Sequence, residues 1–156
     1  MARRLEGIEI RLCHKNASDA PLQESRSFLS NTQIGSVSYA TYIENTGWQH
    51  PMENGAISGT TGQNKQLEAV RVKIIHPTEG YSGGIQYSVH LSGVGWQDWV
   101  SDDMIAGLPD QKRGMEAIKL QLTGEYETYC DVYYQAHVSK YGWLGWAKNG
   151  QAAGTT

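Results

Sequence analysis

The groups in this chain that could do chemistry are its five histidines, five tryptophans, nine tyrosines and sixteen carboxylates. Their spacing points to binding rather than catalysis. Trp99 and Trp146 fill one place of a repeated pattern in which the remaining copy carries Pro51. Closure of the fold does not need an indole there, so both are read as ligand platforms. His90 and His137, with Tyr42 at the third place, fall on the polar face of their strands, and the turn residues Asn54, Asp102 and Asn149 are expected nearby. An aromatic plane beside amide, carboxylate and imidazole groups suits a sugar, whose ring has apolar C–H faces and a rim of hydroxyls.

Enzymatic chemistry is poorly served. A glycosidase needs two carboxylates facing each other across a fixed gap, and a triad needs a nucleophile beside a base. Here the acidic groups are spread one per repeat, and no nucleophile recurs at a fixed offset from the histidines. No catalytic residue is assigned and the chain is read as a non-enzyme. His90 and His137 lie 47 residues apart on different repeats, so no metal site is expected and no cofactor is implied.

These residues recur because the chain repeats. Tyr39 to Ile74 lies on Tyr87 to Leu122 without a gap. Gly47-Trp48-Gln49 falls on Gly95-Trp96-Gln97, Ile57-Ser58-Gly59 on Ile105-Ala106-Gly107, and Glu68-Ala69 on Glu116-Ala117, a period of 48 residues. A third copy begins at Val132, places Tyr134, His137, Gly142-Trp143, Trp146 and Gly154 in register, and breaks off at Thr156. Its missing end stands at the other terminus, where Leu5-Glu6-Gly7-Ile8 reads like Leu67-Glu68-Ala69-Val70. One domain spanning 1–156 therefore holds unit one (37–75), unit two (85–123) and a split unit three (132–156 plus 5–12). Residues 13–36 exceed the links between the other units and are expected to form an irregular surface insertion.

Alternation gives the elements. Val37-Ser-Tyr39-Ala-Thr41-Tyr-Ile43, Ile85 to Leu91 and Val132 to Val138 each open a unit with one apolar or aromatic face. Val70 to Ile74, Ile118 to Leu122 and Ile8 to Leu12 close the units, with a charged face that must be wet. Between them, Asn54-Gly55 and Asn149-Gly150, with Ser101-Asp102-Asp103 in the second unit, signal a short hairpin. The expectation is an all-β protein with threefold pseudo-symmetry and three four-stranded units, with helix minor. A β-prism is preferred to a β-trefoil, because a long hairpin and a short one make a natural four-stranded sheet. Wrapping the ends into one sheet also removes strand edges that invite pairing between molecules.

Within that frame Trp48, Trp96 and Trp143, each following a glycine in every unit, are assigned to core filling around the axis in preference to a sugar platform. Glu6, Glu68 and Glu116 share the inward parity of their strands and are assigned a structural role, satisfying buried N–H donors or standing at a site mouth. Cys13 follows the closing strand of the split unit, and Cys130 precedes its opening strand by two residues. If those strands pair antiparallel the thiols are neighbours and make a disulfide candidate, with two unrelated small core residues as the alternative.

Composition narrows the partners. At 156 residues, with a net charge of −3, the chain has the length of one domain and lacks the basic excess of a nucleic-acid binder. No apolar run approaches the ~20 residues that span a bilayer, so no membrane insertion is expected. Eighteen glycines and fourteen Trp and Tyr residues against one Phe describe a turn-rich protein whose aromatics carry polar handles.

The motifs Tyr134-Gln-Ala-His137, Gly142-Trp143, Trp146, Asn149-Gly150 and Gly154-Thr155-Thr156, together with Gly59-Thr60-Thr61-Gly62-Gln63, resemble the clostridial hydrophobic-Trp repeats, or ChW repeats. The resemblance covers nearly the whole chain outside Cys13 to Ser36. It departs at Pro51, which replaces a Trp, at Leu108-Pro109-Asp110, which replaces a Thr-Thr-Gly turn, and at Tyr42, which replaces the His. What it implies is a non-catalytic, lectin-like module of a bacterial extracellular or cell-surface protein, with a glycan or host-surface ligand and with oligomerisation open. The alternative is a structural or assembly domain whose aromatics meet protein.

Overall fold

The computed structural model describes residues 3–15, 35–75 and 81–156. Unit one runs through β2 (Ser36–Ile43), the short pieces β3 (Gly47–Trp48), β4 (Met52–Glu53) and β5 (Ser58–Gly59), and β6 (Leu67–Ile75). Unit two repeats this as β7 (Ile85–Leu91), β8 (Gly95–Trp96), β9 (Val100–Ser101), β10 (Ala106–Gly107) and β11 (Met115–Leu122). The split unit comprises β12 (Cys130–Val138), β13 (Gly142–Trp143), β14 (Ala147–Lys148) and β15 (Ala153–Gly154), closed by β1 (Leu5–His14) from the other end of the chain. A five-residue helix, Glu125–Tyr129, leads into β12.

Each unit centres on a long antiparallel hairpin: β2 with β6, β7 with β11, and β12 with β1. Leu12 faces Val132 and Ile8 faces Ala136, so the split unit is completed in the way the wrapped repeat requires. The sheets have five strands, where the sequence suggests four. The region between the long strands makes three two-residue pieces, two of which stay on their own opening strand while the third crosses to the neighbouring unit. β5 pairs with β1, β10 with β6 and β15 with β11, so every sheet is completed by the unit that follows it in the cycle.

That crossing requires glycine. A Cβ on Gly59 would stand 2.3 Å from the Glu6 carbonyl oxygen, on a backbone with φ of +100°. Gly107 and Gly154 meet the carbonyls of Glu68 and Glu116 in the same way. The short strand can therefore approach the closing strand only where no side chain intervenes.

The core lies between the three sheets and is built from inward residues of the long strands. Besides Tyr126 of the short helix, its largest members are the three strand tyrosines, Tyr39, Tyr87 and Tyr134, all fully buried. Each hydroxyl donates to a backbone carbonyl seventeen residues on, those of Ala56, Met104 and Gln151. Burial pushes each of these phenols up to about 12, the backbone bonds lowering it only in part.

The expectation that Trp48, Trp96 and Trp143 fill the core is corrected here. All three stand on the outer faces of the sheets, and Trp96 is 38% exposed. Each opposes the outward residue Tyr42, His90 or His137 across the ladder, so the core is closed by tyrosine rather than by tryptophan.

The disulfide candidate is corrected as well. β1 and β12 do pair, but Cys13 stands opposite Asp131 and Cys130 opposite His14. Successive strand residues point to opposite faces, so the two thiols leave the sheet on opposite sides. Both cysteines are buried and free. Burial pushes Cys13 up to about 11 and Cys130 to about 12, so both remain thiols at neutral pH.

The insertion expected over 13–36 also has revised borders, because β1 continues to His14 and β2 begins at Ser36. Its interior, from 16 to 34, lies outside the described residues.

Candidate ligand-binding faces

The local device that shapes each outer face is a β-bulge. The register slips between Leu5 and Gly7, between Leu67 and Ala69, and between Met115 and Ala117, which makes Glu6, Glu68 and Glu116 the extra residues. A bulge inserts one residue without a partner and re-aims its side chain. This overturns the inward parity expected of the three carboxylates. The residue before each bulge takes the inward place, as the fully buried Leu5, Leu67 and Met115 show.

The re-aimed carboxylates are buried but reach the outer histidines. Glu6 Oε2 lies 2.9 Å from His137 Nδ1, and Glu116 Oε1 lies 2.9 Å from His90 Nδ1. Glu6 also accepts the backbone N–H groups of Gly62 at 3.2 Å and Asn64 at 2.6 Å, in the loop that follows β5. Glu68 accepts the Asp110 N–H at 2.9 Å in the loop after β10, and where Tyr42 replaces the histidine the Gln66 amide donates to it at 3.2 Å. One buried carboxylate thus ties the loop of the next unit to its own sheet. Charge-assisted bonds of this kind are among the stronger ones a fold contains. Glu6→Ala is expected to destabilise the chain by about 2 kcal/mol. Urea melts measure the loss, and faster amide exchange at Gly62 and Asn64 would locate it.

Against each of these outer residues stands a tryptophan, edge to face. Ring centroids are 5.5 Å apart for Tyr42 and Trp48, 5.3 Å for His90 and Trp96, and 5.2 Å for His137 and Trp143. A cation from the closing strand completes the arrangement in two units. Arg71 lies 4.7 Å from the Trp48 ring, and Lys119 lies between Trp96 at 4.2 Å and Trp99 at 5.4 Å. Trp99 is 39% exposed, and Trp146 is half-buried under Arg11 at 5.6 Å. Sequence reasoning placed the repeated tryptophans inside and missed Lys119 and Arg71. The signal for the two cations was the charged parity of the closing strands.

Asn54, Asp102 and Asn149 do not join these faces. Their side-chain oxygens accept the N–H of an inward residue near the start of the opening strand: Val37 at 3.1 Å, Ile85 at 3.0 Å and Val132 at 3.0 Å. His90 is five residues along the strand from Ile85, roughly 17 Å away at 3.3 Å per residue. The turn residues fasten the short hairpin to the start of the opening strand, at the far end from the aromatic pair. The constant seventeen-residue offset between each turn residue and its bonded N–H was present in the sequence as the signal for this role.

Two depressions lie on the face of the split unit. One of about 430 Å³ is lined by Glu6, Gly62, Asn64, His137, Lys140 and Gly142, among others. It adjoins a second depression of about 300 Å³ beside Arg3, Arg4, Lys65 and Lys140. Among the described residues no group of three or more His, Cys, Asp and Glu could hold a metal ion.

Fold and faces together define an all-β repeat protein with a half-exposed aromatic pair on each of three sheets. The family model described as clostridial hydrophobic W, ChW, matches the chain three times, over residues 42–75, 90–124 and 137–156. The chain belongs to the ChW family. Each match begins on Tyr42, His90 or His137, the residue that packs against the repeated tryptophan. ChW repeats occur in bacterial surface proteins and form a non-enzymatic repeat module. No curated protein and no solved structure matches the chain. Among the described residues no helix is long and apolar enough to cross a membrane.

Proposed function

We propose that the protein is a carbohydrate-binding, lectin-like module that acts outside the cell or on its surface. The observation that carries this reading is the edge-to-face pair of Trp with His or Tyr, repeated on all three outer faces and left partly open to solvent. A core residue would be hidden, and a random surface seldom holds large aromatics open in three matched places. Trp96, His90, Lys119 and Trp99 on unit two supply a ring face, an imidazole and a cation within one short span, groups that suit the C–H faces and hydroxyls of a sugar. The pairs His137 with Trp143 and Tyr42 with Trp48 offer the same chemistry on the other units. Asn54, Asp102 and Asn149 take no part, because their side-chain oxygens accept backbone N–H groups at the far end of the opening strand and the Asn149 amide donates to Asp131.

The architecture proposed with it is a β-prism. Its support is that the long strands of one sheet share no ladder with those of another among the described residues, whereas a closed barrel carries its ladder all the way round.

A glycan array probed with the 156-residue chain tests the function. Retention of a defined saccharide class is expected, with His137→Ala and Trp96→Ala each weakening capture about tenfold, the effect of losing one polar or stacking contact worth 1–2 kcal/mol. An array without any retained saccharide rejects the reading.

A second reading is favoured by one observation on unit two. Val94, Trp96, Trp99, Met104 and Ile105 are all exposed large apolar side chains within twelve residues of sequence. Such a concentration also suits a protein partner or a second copy. Sedimentation of the wild-type chain against Met104→Ser and Ile105→Ser variants separates that case, since a glycan site centred on the aromatics is indifferent to self-association.

A further inference from the structure

We propose that the face of the split unit takes an acidic sugar, its carboxylate held among Arg3, Arg4, Lys65 and Lys140. The inference rests on the glycan reading and assigns the ligand class for one of the three faces.

Two depressions meet on this face and share Glu6, Asn64, Ser139 and Lys140. The one beside His137 and Gly142 has room for a pyranose ring. The other is lined by four cationic residues, on a chain whose net charge is −3. The two carboxylates lining it already have donors. Glu6 is occupied by the Gly62 and Asn64 amides and by His137, and Glu44 accepts the Gln66 N–H at 3.2 Å. Among the described residues none of the four cations lies within ion-pair distance of a carboxylate. Like charges gathered around one depression repel one another, and an anion placed between them relieves that repulsion while accepting charge-assisted hydrogen bonds.

The two arginines are also positioned. The Arg3 N–H donates to Thr155 Oγ1 at 2.7 Å, and that hydroxyl donates back to the Arg3 carbonyl at 3.1 Å. The Arg3 guanidinium lies 4.9 Å from the centre of the Tyr141 ring, and Arg4 Nη2 donates to Ser92 Oγ at 3.2 Å. Holding the arginines in place before a ligand arrives lowers the ordering cost of binding.

Part of the charge recurs with the repeat, since the place of Arg3 is taken by Lys65 in unit one and by Arg113 in unit two, but two of the cations are particular to this face. The place of Arg4 is taken by Gln66 in unit one and Gly114 in unit two, and the place of Lys140 by Asn45 and Gly93. The other two aromatic faces have no cation at the Arg4 and Lys140 places, so the three faces differ in what they accept.

The experiment compares carboxylated saccharides with their methyl esters, which keep the ring and remove the charge. An array carrying both forms is probed with the chain, and an oligogalacturonate and its fully esterified counterpart are then titrated by calorimetry at low and high salt. The acid form is expected to bind at least tenfold more tightly at low salt, with the gap narrowing as salt rises. A Lys65→Gln, Lys140→Gln double variant, altered only at exposed positions, is expected to lose the acid preference while melting at the wild-type temperature. Signal on neutral saccharides alone, or equal binding of acid and ester, overturns the acidic-sugar inference and leaves the glycan reading standing. Retention of no saccharide in either form overturns both.

Discussion

Replacing Tyr134 by alanine is expected to destabilise the protein by about 3–5 kcal/mol, whereas replacing Trp143 costs about 1 kcal/mol, although tryptophan is the larger side chain. The difference follows from where the two rings stand. Tyr134 is fully buried between the sheets and its hydroxyl donates to the Gln151 carbonyl, so truncation opens a cavity and strips that carbonyl of its donor. Trp143 is half-exposed on the outer face, and what truncation removes is chiefly its edge-to-face contact with His137. At this chain length the first change should lower the melting temperature by about 10 °C and the second by only a few degrees. Matched thermal melts of the two variants decide the matter, and equal losses would mean that the tryptophan shares in the core after all. The same ordering is expected for Tyr87 against Trp96.

Internal comparison made the architecture legible. Three copies in one chain allow the wrapped unit, the long hairpins and the all-β class to be read without any relative, because alternation on the long strands extends over enough residues to fix a face. What escaped the sequence lies where alternation is interrupted or too short. The bulge at Glu6, Glu68 and Glu116 flips parity by one residue, and nothing in a single strand announces it; the small residue after each, Gly7, Ala69 or Ala117, is the only trace. The tryptophans sit on two-residue strands, which have no period to read, so a large ring beside glycine was assigned to the core when in fact it lies on top of the opening strand. The cysteine pairing failed by one position of register. Counting outward from Leu12 opposite Val132 brings Cys13 to Asp131 rather than to Cys130, and a one-residue offset is enough to put two side chains on opposite faces. The turn residues were misassigned for a different reason. A polar side chain at a hairpin looks free in sequence, whereas here its oxygen accepts an N–H near the start of the opening strand, seventeen residues earlier.

Raising the pH from 10 to 12 is expected to unfold the protein in one step. Burial pushes Tyr39, Tyr87 and Tyr134 up to about 12, while an unfolded tyrosine ionises near 10. A phenol whose ionisation is raised by folding contributes stability that is fully present below pH 10 and is lost as the pH climbs through the folded value. That difference between the folded and unfolded phenol corresponds to about 2–3 kcal/mol for each ring, so three rings together approach the about 5–15 kcal/mol that holds a typical domain. The Tyr126 phenol, raised by burial to about 12, and the thiols of Cys13 and Cys130, raised by burial to about 11 and about 12, act in the same direction. Because the three tyrosines share one core, ionising any of them places a charge where no water can reach it, and the sheets must separate to admit solvent. Loss of near-ultraviolet circular dichroism should therefore coincide with a step in tyrosinate absorbance. Tyr134→Phe removes one ionising group and is expected to move the midpoint of that transition to higher pH, even though it lowers stability at neutral pH by about 1 kcal/mol through the lost hydrogen bond. Should the three core phenols ionise near pH 10 with the tertiary signal intact, the tyrosines would have to be reachable by water in the folded state, and a core closed by three buried tyrosines would be wrong.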